Sequence, residues 1–553
     1  MNRLILFFFS YLICFNSFGQ RKQQENKHHD LPPIVIGITI DQMRADYVDR
    51  FWDDFSEDGF KRIVLKGAQA KNCQYNYMPT FTGPGHAAIY TGSTPAYNGI
   101  VANDWYIRET NKMTYCASDS TVVGIGTTSA SGKMSPHYLC ATTIGDELKL
   151  SNNGKSKVIG IALKDRGAIL PAGRTADAAY WFIGANEGKW VSSSWYMDSL
   201  PNWVNEFNKL SFAANYYRTQ QWILRRTEEH YDESMPDNNP YEIPFKGTIR
   251  PTFPYDCDSL SKLNGQFEML KATPFGNSLT LDFALAAIKG ENLGKDNYTD
   301  LLCLSFSATD YVGHQFGIQS IELQDTYIRL DLEIARLLGE LDKQFGKNNY
   351  LVFISADHAG APTPSALKNN KGSAGYWNSD SFESAIESHL QEIYGPGDWV
   401  LNETNQNIFL NRTLIREKKI SLFEIQEKAM QFCNENPNIQ SAYTATALAK
   451  GNLTDYFAQK VQRGYSNQSG DVIYILKPNF MEYGPQGTTH GSPFTYDSHV
   501  PFYMYGKNVH PTTNYSLVHV TDIAPTICSY LGIGFPSACI GNPIPQMLKS
   551  SKK

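Results

Sequence analysis

Several carboxylate and imidazole side chains stand together in the sequence at spacings that suit metal binding. Asp357 and His358 are adjacent, and Asp310 and His314 are four residues apart, which one helical turn would place on the same face. Each pair alone is more typical of a surface loop or a helix cap. Their recurrence within one chain indicates a shared metal site.

Asp41 and His490 extend this set. Asp41 follows an apolar run, and His490 lies in a glycine-containing stretch over residues 487–493. Alone, Asp41 would be interpreted as a helix cap and His490 as a loop histidine. Added to the two pairs, they give two sets of oxygen and nitrogen donors, which suit two zinc-like ions. The set therefore predicts a binuclear metal centre.

Residues 79–87 carry a candidate nucleophile. Two threonines are followed by two glycines and a proline, which let the backbone turn sharply and expose a hydroxyl at the start of a helix. The simpler interpretation is a turn with a threonine cap. The functional interpretation is a threonine nucleophile, made reactive because a metal favours its alkoxide.

The elements that would position these residues are short apolar runs. They cover residues 34–40, 158–163, 301–306 and 350–355. The runs are continuous rather than alternating, which is typical of strands in a sheet covered on both faces. Residues 323–341 carry apolar side chains at helical spacing between two of the strands. The pattern predicts an α/β fold with a mostly parallel central sheet and helices on both faces.

Ligands of such sheets bind beyond the carboxyl ends of the strands. The residues that follow a predicted strand are Asp41, Lys164, Arg166, Asp310, Asp357 and His358. We therefore expect them to meet at one edge of the sheet. Residues from about 170 to 275 and from about 365 to 480 are irregular, and we interpret both as cap insertions over that edge within one domain of residues 33–550.

The composition limits the class of protein. The 553 residues are 42% hydrophobic and 19% charged, which excludes a mainly disordered, collagen-like or coiled-coil protein. The net charge of −6 gives no support to a nucleic-acid partner. Eight cysteines after residue 19 could form four disulfides of unknown connectivity, although Cys303, inside an apolar run, is expected to be a buried free thiol.

The N-terminus predicts export. Arg3 precedes an apolar run over residues 4–15, and the small residue Gly19 suits signal peptidase, so residues 1–19 are interpreted as a signal peptide. Residues 20–32 are polar and are expected to be a flexible lead-in. The apolar run is shorter than the roughly 20 residues that span a bilayer. We expect a periplasmic or secreted protein without a membrane span, with a monomer favoured.

Seven motifs, in order, resemble those of the alkaline phosphatase superfamily of binuclear zinc enzymes, and above all its bacterial alkaline phosphatases with a threonine nucleophile. The motifs are IDQMR at 40–44, TFTGPGH at 80–86, NDW at 103–105, LKDRGA at 163–168, DYVGH at 310–314, ADH at 356–358 and HGSP at 490–493. The resemblance covers nearly the whole chain after the signal peptide.

The resemblance implies two zinc ions per chain. It assigns Asp310, His314 and His490 to one ion and Asp41, Asp357, His358 and Thr82 to the other. Thr82 rather than Thr80 matches the nucleophile, because it directly precedes the turn. Gly83 stands where the family has a small non-glycine residue, which is expected to loosen the turn but to leave the hydroxyl in place. His86 and His499 match positions that are not ligands and are expected to be structural.

Lys164 and Arg166 indicate the class of substrate. Two positions apart after a strand, they are expected to project to the same side, and the arginine fork fits phosphoryl oxygens. Asn103 adds a neutral donor. A phosphate monoester carries about two negative charges near neutral pH, and a diester has one fewer, so this clamp favours monoesters. By resemblance, the nucleotide pyrophosphatase/phosphodiesterase branch lacks the pair, and the sequence around Cys73 does not supply the modifiable residue of the sulfatase branch.

The resemblance thus implies an exported, zinc-dependent alkaline phosphatase that hydrolyses small phosphate monoesters through a phosphothreonine on Thr82. One alternative is a phosphodiesterase of the same superfamily whose aromatic insertions house a nucleoside. Another is a non-catalytic surface binding protein that retains the fold. The complete ligand set argues against the last, because such a protein would be expected to have lost ligands.

Overall fold

The computed structural model describes residues 31–548, so the predicted signal peptide and most of the predicted lead-in lie outside the described residues. The strands of the described chain are β1 Ile34–Ile40, β2 Ala68–Gln74, β3 Asp104–Ile107, β4 Lys112–Tyr115, β5 Gly124–Ile125, β6 Val158–Ala162, β7 Ala178–Ile183, β8 Lys189–Ser193, β9 Asp300–Phe306, β10 Leu351–Ser355, β11 Gly375–Tyr376, β12 Val400–Thr404, β13 Asn407–Leu410, β14 Ile439–Thr444, β15 Val472–Leu476, β16 Phe480–Met481, β17 His499–Gly506, β18 Thr512–Asn514 and β19 Val518–His519.

The α-helices of the same residues are α1 Tyr47–Arg50, α2 Phe60–Lys66, α3 Thr82–Thr91, α4 Pro95–Asn98, α5 Ile144–Ser151, α6 Asp165–Ala172, α7 Asn202–Lys209, α8 Phe212–Thr219, α9 Cys257–Ser261, α10 Phe275–Gly290, α11 Ala308–Phe316, α12 Ile321–Phe345, α13 Pro364–Asn369, α14 Ser379–Tyr394, α15 Arg412–Glu417, α16 Leu422–Glu435, α17 Ala445–Lys450, α18 Tyr456–Gly464, α19 Thr495–Ser498 and α20 Ile523–Leu531.

The central sheet has 11 strands among the described residues, in the order β18-β2-β17-β10-β1-β9-β6-β7-β8-β5, with β19 beside β2. Its middle strands β10, β1, β9, β6 and β7 are parallel. Antiparallel pairs flank them, β10 with β17 on one side and β7 with β8 on the other. This arrangement confirms the predicted α/β fold with a mostly parallel sheet.

The four strands predicted from apolar runs are the four adjacent strands β10, β1, β9 and β6 at the middle of this sheet. Every residue of the four is buried, as expected for strands covered on both faces. The helix predicted from spacing over residues 323–341 is also confirmed, because α12 joins β9 to β10 after the short helix α11. Parallel neighbours end at the same edge, so the residues that follow these strands lie close together.

The two intervals predicted as cap insertions contain more regular structure than their sequences suggest. Residues 170–275 include β7 and β8, which belong to the central sheet, so that interval starts within the sheet itself. Residues 365–480 include a second sheet in the order β12-β13-β15-β14. Side chains of α14 and α16 pack on this sheet around a hydrophobic core of their own.

The cysteines of residues 31–548 are all free thiols, and most are buried. Cys303 lies within β9 with no exposed surface, which confirms the prediction for that residue. A search of the described helices finds none whose length and apolar character would let it cross a membrane.

Candidate active site

The carboxyl edge of the central strands gathers most of the predicted site. Asp41 directly follows β1, and Asp357 and His358 follow β10. Asp310 lies near the start of α11, just beyond β9. All four of these side chains are almost completely buried. The sheet thereby brings together donors that are far apart in sequence.

One donor group consists of Asp310, His314 and His490. The Oδ1 atom of Asp310 lies 3.2 Å from His314 Nε2 and 3.7 Å from His490 Nε2. Asp310 and His314 are one turn apart on α11, as their spacing predicts. Two donors about 2.1 Å from a tetrahedral ion lie about 3.4 Å apart, so these separations suit the ligands of one zinc ion.

The second donor group surrounds the Nε2 atom of His358. Asp41 Oδ1 and Asp357 Oδ2 each lie 3.5 Å from it. Thr82 Oγ1 lies 3.4 Å from the same nitrogen. Asp310 adjoins this group as well, since its donor oxygen and those of Asp41 and His358 fall within 4.8 Å of one another. The seven predicted ligands therefore form one continuous cluster.

Backbone carbonyls fix the orientation of the three histidines. Each ring places its Nδ1 atom 2.7–2.9 Å from a carbonyl oxygen: His314 on Thr488, His358 on Ala359 and His490 on Thr80. With Nδ1–H donating in this way, the Nε2 lone pair faces the carboxylates, as in histidines that bind metals. Burial also lowers the pKa of His358 and His490 from the usual histidine value, which favours the neutral rings that a metal requires.

The carboxylates of the cluster lack sufficient partners within the protein. Asp41 Oδ1 and Asp357 Oδ2 are buried and accept no hydrogen bond from the described residues. Burial raises the pKa of Asp41 well above its usual range, and the charges of Asp310 and Asp357 raise it further. Buried carboxylates need a compensating cation. The donor types, their spacing and these unpaired oxygens fit a pair of divalent ions.

Lys164 lies inside the cluster rather than beside it. Its Nζ atom is 2.7 Å from Asp41 Oδ2 and 2.5 Å from Asp310 Oδ2. Burial would lower the pKa of this lysine, but the two carboxylates raise it above its usual value, so the ammonium stays charged. It thus contributes a fixed positive charge between the two donor groups.

The local geometry of Lys164 and Arg166 differs from the prediction. They do not extend from a strand, because β6 ends at Ala162 and α6 begins at Asp165. Both side chains nevertheless line one cavity of about 520 Å³, together with Tyr311 and other residues. The turn between β6 and α6 therefore directs both side chains to the same cavity, although we expected the alternation of side chains along a strand to do so.

Tyr115 holds the arginine in place. The Arg166 Nη1 atom donates a hydrogen bond of 3.0 Å to the Tyr115 hydroxyl, which in turn donates to Asp165. The Nε atom of Arg166 is buried and has no hydrogen-bond partner among the described residues, and the side chain lines the cavity. Asn103 is oriented similarly, since its Oδ1 accepts the Gly83 N–H at 2.7 Å and leaves its amide N–H groups for substrate.

Thr82 is the first residue of α3, where the helix dipole favours negative charge. Pro84 fits the first turn, which has no intrahelical use for its missing N–H. Gly85 is required for the approach of α3 to β10, because a Cβ atom there would lie 2.0 Å from the carbonyl oxygen of Asp357. These features hold the threonine hydroxyl, which is almost fully buried, against the second donor group.

Gln42 is a site residue that the sequence analysis missed as such. Its Nε2 atom donates to Asp310 Oδ1 at 2.7 Å, and its backbone N–H donates to Asp357 Oδ1 at 3.2 Å. It adopts a φ of 62°, which is unusual for glutamine and directs it to both donors. The position of Gln42 directly after Asp41 was a signal that it lies near the site. Its backbone conformation could not be predicted from the sequence.

Two histidines that were predicted to be structural occupy different surroundings. His86 lies behind the second donor group, with Nδ1 3.3 Å from Asp357 Oδ2 and Nε2 3.0 Å from Ser305 Oγ. His499 lies at the start of β17, where its Nε2 atom is 2.9 Å from the Lys71 carbonyl oxygen. His86 Nδ1 also lies 2.9 Å from the Thr82 carbonyl oxygen, so this ring packs against the start of α3, whereas His499 joins two neighbouring strands.

Comparison with known proteins finds relatives over most of the chain. The type I phosphodiesterase / nucleotide pyrophosphatase family matches residues 35–499 of the chain. A protein of Myroides odoratus named calcium-transporting ATPase is 41% identical over 543 residues, which cover 97% of this chain and 98% of that protein. Alkaline phosphatase PafA of Elizabethkingia meningoseptica is 38% identical over 520 residues, or 94% of either chain.

A solved structure extends the similarity to the fold. The crystal structure of wild-type alkaline phosphatase PafA matches with a TM-score of 0.90 at 37% identity, covering 94% of this chain and 99% of that chain. The chain therefore belongs to the type I phosphodiesterase / nucleotide pyrophosphatase family of the alkaline phosphatase superfamily, and it is an alkaline phosphatase.

Proposed function

We propose that this alkaline phosphatase cleaves small phosphate monoesters with Thr82 as its nucleophile and with two zinc ions as cofactors. The observation that carries the proposal is the placement of Thr82 against the second donor group, with Lys164 in contact with both donor groups and lining a cavity that Arg166 also lines. Residues 1–19, interpreted as a signal peptide, support the further proposal that the enzyme acts after export.

Zinc is the cofactor that suits the donors. One ion would be held by Asp310, His314 and His490, and the other by Asp41, Asp357, His358 and Thr82. Imidazole and carboxylate donors in sets of three or four are typical of catalytic zinc sites. When bound, the ions would neutralise phosphoryl charge and favour the ionised forms of the groups next to them.

The chain's own residues perform the remaining work. The Thr82 oxygen would attack phosphorus in line with the ester oxygen, forming a phosphothreonine while the alcohol departs. Arg166, whose side chain lines the cavity, and Asn103, whose amide N–H groups are left for substrate, would hold non-bridging oxygens. Lys164 would add positive charge from its position against Asp41 and Asp310. Water would then release phosphate and restore the threonine.

Charge supports a monoesterase over a diesterase within this family. A monoester brings about two negative charges to the site, and a diester brings one and an additional ester group. Lys164 and Arg166 add two positive charges to those of the metals, which complements the more highly charged substrate.

The name of the Myroides relative suggests ATP as a substrate of that protein. In this chain, cleavage of a terminal phosphoryl group would use the same site as a monoester. Calcium transport is not part of this proposal.

The test is a comparison of initial rates on zinc-loaded protein at alkaline pH, with an aryl phosphate monoester and the matching methyl aryl diester. We expect kcat/KM for the monoester to be larger by about 10³-fold or more, because the charged donors act fully only on the dianion. A preference for the diester would retain the metal centre but refute the substrate class.

Metal dependence can be tested by chelation and by comparing the zinc content of two histidine variants. We expect chelation to lower kcat by at least about 100-fold and added zinc to restore it, since the metals contribute several kcal/mol of charge stabilisation. His490→Ala should bind less zinc than the wild type, whereas His499→Ala, which alters a histidine outside the cluster, should bind about two ions per chain. Equal zinc content in both variants would refute the role of His490.

A further inference from the structure

The cavity beside Lys164 and Arg166 contains a third basic side chain. Lys271 lies in a short 3-10 helix over Gln266–Ala272, between α9 and α10, and its side chain lines the same cavity of about 520 Å³. Cavities of roughly 300–1,000 Å³ hold whole small-molecule ligands. The cavity therefore has room for more of a substrate than its reacting phosphoryl group.

The ring of Tyr311 limits the distance between the two lysines of the cavity. The Nζ atom of Lys164 lies 5.0 Å from the centre of this ring, and the Nζ atom of Lys271 lies 5.9 Å from the same centre. Because both distances share one end point, the two Nζ atoms are no more than about 11 Å apart. A small molecule with a phosphoryl group at each end can contact both ammonium groups across such a distance.

The end of β7 holds the helix of Lys271 in place. The Ala185 N–H donates a hydrogen bond of 3.0 Å to Glu268 Oε2. A Cβ atom at Gly184 would lie 2.1 Å from the same oxygen and 2.7 Å from the Glu268 backbone nitrogen, so glycine is required for this close approach. Glu268 in turn forms an ion pair with Lys271, one helical turn away. The lysine is thereby anchored to the central sheet that carries the donor groups.

Lys271 keeps hydrogen-bonding capacity after this ion pair. An ammonium group has three N–H donors, and Glu268 is the one hydrogen-bond partner of Lys271 among residues 31–548. Burial opposes the charge of Lys271, but the nearby Tyr311 and Glu268 side chains raise its pKa above the usual lysine value, so the group stays charged. Its side chain is 11% exposed and lines the cavity, so charged donors remain for a group bound there.

The carboxylates that line the cavity are engaged by the protein. Glu187 accepts the Thr127 hydroxyl at 2.7 Å, and Asp165 accepts the Tyr115 hydroxyl. The third carboxylate, Glu268, is the one paired with the lysine. The lining thus has as many bases as acids, and the two divalent ions of the proposed function would carry more charge than the three aspartates that hold them. Such surroundings favour an anion over a cation.

We propose that Lys271 binds a second phosphoryl group of the substrate, so that the enzyme prefers phosphate monoesters that carry another phosphoryl group. This preference rests on the proposed function, in which Lys164 and Arg166 act on the reacting group. A lysine binds a phosphoryl group as a compact point charge and does not require the planar geometry of an arginine. Since the contact is to a part of the substrate that does not react, Lys271 determines specificity and takes no part in the chemistry.

The binding test uses the full zinc-loaded protein and two phosphonates, whose carbon–phosphorus bonds resist hydrolysis. Propane bisphosphonate carries a phosphonate at each end, and propylphosphonate carries one. Dissociation constants are measured by isothermal titration calorimetry and corrected for the two equivalent ends of the bisphosphonate. We expect the bisphosphonate to bind at least about 10-fold more tightly, because a hydrogen bond to a charged group contributes a factor of this order. The measurement needs no turnover, so failure of this proposal is distinct from failure of the proposed function.

A matched pair of lysine variants makes the test specific. Lys271→Met removes the charge but keeps a long side chain, and it should bind the two phosphonates with equal affinity. Lys343→Met is the control, since Lys343 also pairs with a glutamate three residues earlier, Glu340 at 2.6 Å, but lies on α12 and does not line the cavity. It should retain the preference of the wild type.

Glu268→Gln tests the charge in the opposite direction. The substitution removes the carboxylate that neutralises Lys271, while the amide oxygen can still accept the Ala185 N–H. We therefore expect the preference for the bisphosphonate to increase by about 3-fold or more over that of the wild type. This variant also separates the charge of the lysine from its packing, because the Lys271 side chain stays in place.

Rates on substrates give a second readout. The bisphosphate of a short straight-chain diol should have a KM at least about 10-fold lower than the diol monophosphate, with a kcat of the same order, because the second group binds equally in the ground state and the transition state. In Lys271→Met the two KM values should converge. A merely structural role for this lysine would instead lower kcat for both substrates alike.

Three results would overturn the proposal. The first is equal binding of the two phosphonates by the wild-type protein. The second is a wild-type preference that persists in Lys271→Met, which would place the second phosphonate elsewhere. The third is a lower preference in Glu268→Gln, which would show that the ion pair, and not the charge of the lysine, favours the bisphosphonate.

Discussion

Replacing Thr82 with alanine is expected to lower kcat/KM for phosphate monoesters by about 10⁴-fold. The substitution removes the hydroxyl that lies 3.4 Å from His358 Nε2 at the start of α3, and with it the atom that would form the phosphoenzyme. The fold should survive, because the side chain is small and the helix begins on backbone contacts. Rapid quenching with labelled substrate should trap phosphate on the wild-type protein and none on Thr82→Ala.

Two control variants test whether the loss of activity is specific to the Thr82 hydroxyl. Thr82→Ser keeps the hydroxyl and should retain activity within about 10-fold of the wild type. Thr80→Ala removes a neighbouring hydroxyl that is engaged with the Ser492 carbonyl at 2.9 Å, and it should still form the phosphoenzyme. Labelled phosphate on Thr82→Ala would mean that another residue is the nucleophile.

Replacing Arg166 with alanine is expected to lower kcat/KM for monoesters by about 10³-fold and for diesters by no more than about 10-fold. The guanidinium is held by Tyr115 and the side chain lines the cavity, so it can give a strong hydrogen bond to a phosphoryl oxygen bound there. A monoester dianion should lose more from its removal than a diester does. Initial rates on the two matched aryl substrates measure the difference.

The conservative variant separates charge from shape. Arg166→Lys keeps a positive charge but not the planar fork, and its monoester activity should fall between those of the wild type and Arg166→Ala. A decrease in diester activity as large as the decrease in monoester activity would overturn the role proposed for this arginine. Zinc content should be measured for each variant, so that a loss of metal is not mistaken for a loss of the clamp.

The central part of the fold was readable from sequence because its strands are buried on both faces. Residues 34–40 and 301–306 are mostly apolar, with one hydroxyl side chain in each, and the polar residues that follow them mark the edge of the sheet. The second sheet was not readable, since strands such as β14 are only half buried and mix exposed polar residues with apolar ones. Long-range antiparallel pairing, as between β17 and β2, leaves no local signal at all.

The site shows the same division between local and tertiary information. The types and spacing of Asp310, His314 and His358 indicated a metal site when taken together, and the family resemblance assigned each of them to an ion. The position of Lys164 between Asp41 and Asp310 depends on how three separate strands end, and no local pattern encodes it. The contribution of Gln42 depends on a single backbone angle. Such features arise only when the sheet is assembled.

The donors also come from distant parts of the chain, and this has a consequence for how the enzyme matures. The ring of His490 is held by the carbonyl of Thr80 across 410 positions of sequence. Contacts of such long range form late in folding, because each must close a large loop. A growing polypeptide that has not reached residue 490 lacks one of the proposed zinc ligands, whatever else has folded. We therefore expect the completed chain to be the first form that holds both proposed ions, and ions bound at that step would draw the equilibrium towards the folded state.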